Sequence, residues 1–287
     1  MNPLENKGDK KMNDYSNLKP VQDRLKGLLD DLVEFTEKAG VQYILAYGSL
    51  LGAFRHRDVI PWDDDIDVVM LRDDYQKFVE YFRTHDTGIY KLSCMELDDS
   101  YALYAKFVRT VGDEDLKDYF THPEGLCIDV FPLDEAFPYN NILQRVNEIR
   151  IRTIKRAVVS KGKLRTGHYS ESKLKHLIRM LFVLPYRPFN DKWLMERAIG
   201  LCKKDAGKGA PDLVFYGTVK PMSREHNKKE YWLPITKLPL GDKEYNAAGN
   251  YKAVLTTYYG PEYYKMPPDH LKVMHGDTDQ GGWNHEQ

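Results

Sequence analysis

The chain has 287 residues, enough for one large domain or two lobes, and its 42 basic and 43 acidic residues leave a formal charge of -1, which gives no global attraction to nucleic acid. Three cysteines, Cys94, Cys127 and Cys202, lie far apart and fit no zinc or disulfide spacing, which favours a reducing compartment. The opening residues, MNPLENKGDKKMNDYSN, lack the apolar core of a signal peptide, and no apolar run approaches a membrane span, so a cytoplasmic protein is expected.

Residues 1–17 and 276–287 are polar and are expected to be disordered. Over 20–39, Val21, Leu25, Leu28, Leu29, Leu32 and Val33 fall on one helical stripe that Gly40 ends. Residues 42–46 read as a strand. A helix can then begin at Ser49, with Leu50, Leu51 and Ala53 as its apolar face, and its N-terminus after Gly48 offers backbone N–H groups to an anion. The alternative is that Gly48 merely makes a tight turn. Four aspartates follow, Asp63, Asp64, Asp65 and Asp67, feeding a buried strand over 66–71. Asp65 and Asp67 share one face at its start, roughly 7 Å apart at Cα, and repel unless a cation lies between them. Such hard oxygen ligands suit Mg2+ or Mn2+, with water and substrate phosphate completing the shell. Two blander readings compete. A solvated acidic loop fits poorly between Trp62 and an apolar strand. A calcium loop has Asp63, Asp65 and Asp67 in place, but Val68 stands where glycine is required and Asp74 where glutamate is.

Beyond a helix over 73–85, the segments 90–97 and 101–108 read as strands around an Asp98-Asp99-Ser100 turn. Residues 126–131, LCIDVF, hold a single charge, Asp129. A lone aspartate in a buried strand is costly unless it is paired, metal-bound or functional; otherwise it faces solvent or meets a structural arginine. The stretch 144–187 has twelve Lys/Arg and two acids, a net +10, and two helices are expected over 140–160 and 172–184. Its apolar run 177–184 is either core, leaving a solvated basic lobe, or part of a surface meeting anionic lipid or an anionic substrate. A third helix is expected over 191–204, a loop and short strand over 207–217, an extended proline-interrupted segment over 231–240 and a helix over 250–259. His270 and His275 are spaced five apart with no third ligand near, which reads as structural.

The stretch YGSLLGAFRHRDVIPWDDDIDVVM (47–70) resembles the signature of the LicD family, which includes the fukutin-related proteins. CIDVFPLDE (127–135) and LPLGDKEYNAAGNYKAVLTTYYGPEYYKMPP (238–268) agree with it, so the resemblance runs from about 41 to 268. It implies an α/β (α+β) fold: a nucleotidyltransferase-like mixed sheet with flanking helices and a mainly helical second part. The divisions expected are a catalytic core over 18–138, a basic helical lobe over 139–205 and a C-terminal part over 206–275. It further implies transfer of a phosphorylated alcohol, phosphocholine in the bacterial group and another phosphoalcohol or polyol phosphate in other relatives, from a CDP-linked donor to the hydroxyl of a glycan acceptor, free or lipid-linked. On this reading Asp65 and Asp67 hold the metal, and Asp129 is either the base for the acceptor hydroxyl or a shared ligand. Gly48 and Ser49 cradle the diphosphate through backbone N–H groups. Arg55 either clamps a phosphate oxygen or pairs with Asp63 or Asp64, His56 orients the loop, and Trp62 packs it. Peripheral contact with the inner membrane face through 144–187 is the further expectation. Three rivals remain: nucleotidyl transfer to a small alcohol, a calcium- or phosphate-binding module without turnover, and a scaffold with a decayed site.

Overall fold

The computed structural model describes residues 15–98, 100–120, 122–166, 173–268 and 272. Helix α1 (Lys19–Ala39) forms as its stripe predicts, with Val21, Leu25, Leu28, Leu29 and Leu32 buried, and Gly40 closes it at φ 66°, a conformation open to glycine. Of residues 1–17, 1–14 lie outside the described residues. Tyr15 and the helical turn Ser16–Leu18 are ordered, contrary to expectation, because Leu18 is buried and Tyr15 packs on Trp62. The tail 276–287 and the pair His270 and His275 lie outside the described residues.

In chain order there follow β1 (Ile44–Leu45), α2 (Tyr47–Arg55), β2 (Asp67–Leu71), α3 (Arg72–Thr84), β3 (Tyr90–Ser93), α4 (Met95–Asp98), β4 (Ala105–Arg109) and β5 (Leu126–Ala136). The helices α5 (Ile142–Thr166), α6 (Lys173–Val183) and α7 (Asp191–Cys202) come next, then β6 (Asp212–Val214), β7 (Asn227–Lys228), α8 (Lys229–Trp232), β8 (Thr236–Leu240), β9 (Lys243–Ala247) and α9 (Tyr251–Tyr259). Among the described residues, seven strands make one mixed sheet in the order β1-β2-β5-β4-β3, with β6 on the far part of β5 and β7 on β6. Only β2 and β5 run parallel within it. The α+β class is therefore borne out.

Several boundaries differ from the sequence expectations, each for a local reason. The first strand is shortened because Gln42 gives its N–H to Asp74 Oδ2 at 3.3 Å. The strand expected over 90–97 stops at Ser93, where its pairing with Lys106 ends, and the Cys94 carbonyl turns the chain into α4 by accepting from Leu97 and Asp98. Strand β5 runs five residues past Phe131. Pro132, with no N–H to give, lies just beyond the last β4 pair, Ala105 with Val130. Asp134 can stay buried because Arg72 takes both its oxygens at 2.7 Å. In 231–240 the extended chain begins only after α8 and a cis Leu233–Pro234 bond.

Helices α5 and α7 share one hydrophobic core with the sheet through Ile151, Ile154, Val158, Leu194, Met195 and Ala198. Helix α6 does not join it in the same way. Leu177, Ile178, Met180 and Leu181 are each at least half exposed, and only Val183 of its apolar run is buried. The core alternative for 177–184 thus fails for most of the run.

A buried carboxylate–imidazole–carboxylate group joins α5 to the sheet. His226 Nε2 lies 2.7 Å from Glu148 Oε1 and Nδ1 lies 3.1 Å from Asp212 Oδ2. Burial favours the neutral ring, but the hydrogen bonds and charges of Asp212 and Glu148 outweigh it and raise the imidazole above its ordinary value. A raised folded-state value means stability that is complete below the ordinary histidine range and is lost as pH rises through the folded-state value. The melting temperature is expected to fall between pH 6 and pH 8.5 more steeply in the parent chain than in His226→Gln; equal slopes would contradict it.

Candidate active site

The site starts where the chain leaves β1. Ala46 is extended and has no side chain with which to cap α2, so the N–H groups of Tyr47, Gly48 and Ser49 open the helix without intrahelical partners. The helix begins two residues earlier than the sequence suggests, with Tyr47 at φ 44°, a conformation rare for a side-chain-bearing residue. Tyr47 is held there by its hydroxyl, which donates to buried Glu225 at 2.9 Å, by stacking on Tyr258 at 4.6 Å, and by an edge contact to Phe131 at 5.4 Å. Two hydrogen bonds then staple the helix entry to β2. The Ala46 N–H donates to the Asp67 carbonyl at 3.0 Å, and the Asp67 N–H donates to Ser49 Oγ at 2.8 Å. The Ser49 hydroxyl therefore fixes the backbone that carries Asp67.

Gly48 lies under the carboxylate of Asp63. A Cβ there would fall 2.6 Å from Asp63 Oδ2. Asp63 is itself pinned by buried Gln22 of α1, whose amide donates to the carbonyls of Asp63 at 2.8 Å and Ile60 at 3.1 Å. In Gly48→Ala the carboxylate must swing away, two residues before Asp65. A drop in kcat/KM on the order of tenfold or more is expected, with a change of only a few degrees in Tm, since small misplacements at a reacting centre are costly. Unchanged kinetics would show that the helix entry tolerates a moved Asp63.

The parallel pairing of β2 and β5 sets Asp67 opposite Asp129, and the antiparallel pairing of β5 and β4 sets Asp129 opposite Lys106. Residues paired in this way share one face, so the three charges form a row across the sheet. Lys106 Nζ holds Asp129 Oδ1 at 2.5 Å and lies 3.8 Å from Cys127 Sγ. Burial lowers the Lys106 ammonium, but Asp129, helped by Cys127 and Tyr104, raises it beyond that loss, so it stays charged. Asp65 stands two residues before Asp67 at the mouth of the strand.

A second lysine closes on the row from the other side. Lys220 Nζ sits 4.9 Å from the ring centre of Tyr47, 5.0 Å from that of Tyr259 and 6.0 Å from that of Tyr258. Burial draws its ammonium down, against the charges of Glu225, Asp67 and Asp65. Tyr259 is held well above its usual range, first by burial and then by Asp63, Asp67 and Asp65. Lys106, Lys220, Glu225, Tyr258 and Tyr259 were missed in the sequence. Only the tyrosines had a signal, the YY of the 238–268 segment.

Arg55 and His56 lie at the far end of α2. Arg55 Nη1 donates to the carbonyl of Lys265 at 3.0 Å and reaches that of Tyr263 at 3.5 Å, while Nε donates to His56 Nε2 at 3.1 Å. Arg55, His56, Tyr15 and Lys272 all pack on the buried Trp62 ring. The Tyr15 hydroxyl donates to the Lys272 carbonyl at 3.0 Å. Trp62 thus packs the loop, as the sequence suggests. The carboxylates, Gly48 and Ser49 come together, whereas Arg55 and His56 clasp the loop from behind.

Asp65 and Asp67 provide hard carboxylate oxygens, a donor chemistry that fits Mg2+. Among the described residues no group of three or more His, Cys, Asp or Glu side chains could cage a metal unaided, so water and substrate phosphate would supply the rest of its shell. Two surface grooves, of about 420 Å3 beside α7 and about 650 Å3 between α1 and β9, are lined by none of these residues.

The fold and its row of carboxylates fit a phosphotransferase built on a nucleotidyltransferase domain, and the family match shows that class. Residues 40–195, more than half of the chain, match the family described as LicD/FKTN/FKRP, nucleotidyltransferase domain. The chain belongs to the LicD family and is an enzyme of the LicD phosphotransferase type. It is 25% identical over 269 residues to the lipopolysaccharide cholinephosphotransferase LicD of Haemophilus influenzae, covering 86% of this chain and 91% of that protein. Over 43 residues it is 54% identical to the ribitol 5-phosphate transferase FKRP of Homo sapiens, covering 15% of this chain and 9% of that protein. An uncharacterized protein of Rickettsia typhi is 29% identical over 126 residues, 40% of this chain and 39% of that protein.

Proposed function

We propose that the enzyme transfers phosphocholine from CDP-choline to a hydroxyl of a cell-surface glycan or its lipid-linked precursor, releasing CMP, with Mg2+ as cofactor. The observation that carries this is the row Asp67–Asp129–Lys106 beside Asp65, in a chain matched almost end to end by a cholinephosphotransferase. Asp65 and Asp67 would hold Mg2+, which when bound supplies neutralising charge at the donor diphosphate. The helix entry at Gly48 and Ser49 offers N–H groups to the same phosphates. Lys106 pairs with Asp129 Oδ1 and fixes the direction of its carboxylate. Asp129 takes the proton of the acceptor hydroxyl as that oxygen bonds to the phosphorus bearing the alcohol, and the bond to the bridging oxygen breaks. Lys220 adds a second positive charge within reach of Asp65 and Asp67. The reading puts the enzyme in the cytoplasm, in keeping with three buried cysteines, Cys94, Cys127 and Cys202, that form no disulfide with one another. Among the described residues no helix is long and apolar enough to cross a membrane.

The test is a screen of CDP-choline, CDP-ethanolamine, CDP-glycerol and CDP-ribitol with candidate glycans, read as CMP release. Preference for CDP-choline supports the proposal; preference for CDP-ribitol or CDP-glycerol replaces the alcohol and keeps the reaction. The nucleotidyltransferase description of the matched domain favours one rival, nucleotidyl transfer to a small alcohol. Release of diphosphate from a nucleoside triphosphate, without CMP release from any CDP-alcohol, would establish that rival.

A further inference from the structure

Helix α6 leaves most of its described apolar side chains in water, although Val183 is buried. A helix on a water-facing surface buries its apolar side and exposes its charges. Here Arg179 is half-buried while Leu177, Ile178 and Leu181 stand 52%, 57% and 61% exposed. Leu184, in the turn that follows, is 60% exposed, and further along the chain the stacked rings of Phe189 and Trp193, 4.7 Å apart, are 43% and 48% exposed. Scattered exposed apolar residues need no explanation, but a contiguous set on one helix and the turn after it does.

The surface is also braced. Lys161 Nζ, from the end of α5, holds Asp191 Oδ1 at 2.7 Å and the Phe189 carbonyl at 2.5 Å. Phe189 and the start of α7 are therefore held against α5. The stretch 144–187, which includes α6, has a net charge of +10, and Lys163 and Arg187 are exposed around α6. Apolar side chains inside a basic border, with an indole at the edge, match the interface of an anionic bilayer: leucine and isoleucine enter the acyl boundary, tryptophan sits at headgroup level, and cations meet lipid phosphates. A second copy of the chain fits less well, because a two-fold interface would bring two copies of the same net basic stretch together.

We propose that α6 and the turn after it form a membrane-docking face that binds anionic phospholipid bilayers peripherally. The docking is independent of which alcohol is transferred, and its test uses no turnover. The full chain is sedimented with vesicles of phosphatidylcholine alone and of phosphatidylcholine mixed with phosphatidylglycerol, at low and high salt. The parent chain is expected to bind the anionic vesicles on the order of tenfold or more tighter than the neutral ones, and to lose most of that advantage at high salt. Ile178→Asp with Leu181→Asp, at exposed positions and with melting unchanged, should lose binding; Lys163→Glu with Arg187→Glu should lose the preference for anionic lipid. Equal recovery with both vesicle types, or full binding by the Ile178→Asp, Leu181→Asp variant, would overturn the proposal. A concentration-dependent dimer in the parent chain, abolished by that variant, would assign the face to a second copy and overturn it equally.

Discussion

Asp65→Asn and Asp67→Asn are each expected to lose at least about a hundredfold in kcat/KM while retaining the fold, as read by circular dichroism and melting. A hundredfold is about 2.7 kcal/mol of transition-state stabilisation, within the several kcal/mol that a metal-bound phosphate clamp supplies. The fold should survive because the aspartates stand at the mouth of the sheet and repel one another, so removing one charge relieves strain. Ser49 binds the backbone N–H of Asp67, which asparagine keeps. Near-normal Mg2+-dependent turnover in either variant would discard the metal assignment.

Asp129→Asn should lose between about a hundredfold and ten-thousandfold in kcat, the range of general-base catalysis, with donor affinity by calorimetry nearly unchanged. It should also lower Tm, because Lys106 is left as a largely buried cation without its 2.5 Å counter-ion. Adding Lys106→Met to Asp129→Asn should recover the stability and none of the activity. If Asp129→Asn instead abolishes Mg2+ binding, Asp129 is a ligand and the base lies elsewhere.

What the sequence made legible is what lies close together along it. Asp65 and Asp67 can be paired because one intervening residue in an extended chain sets their common face. Asp129 stands out as the one charge in an apolar run. Lys106, by contrast, meets Asp129 across 23 positions through strand register, and nothing in its own neighbourhood announces the pairing. Lys220 and Glu225 reach the site only because Tyr47 and α9 fold over it. The true length of β5 was hidden because Asp134 reads as a strand end until Arg72 neutralises it. In α6 the apolar run was plain, but composition does not say which side of a helix meets the core.

The clasp over Trp62 bears on the order of assembly during synthesis. The pairing that brings Asp67 to Asp129 needs nothing beyond Ala136. Trp62, just before Asp63, packs against Arg55, which donates to the carbonyls of Tyr263 and Lys265, and against Lys272, which meets Tyr15 across 257 positions of chain. A nascent chain therefore assembles its carboxylate row long before it can lock the loop that feeds it. The clasp on Trp62 can close only once the chain through Lys272 has been made.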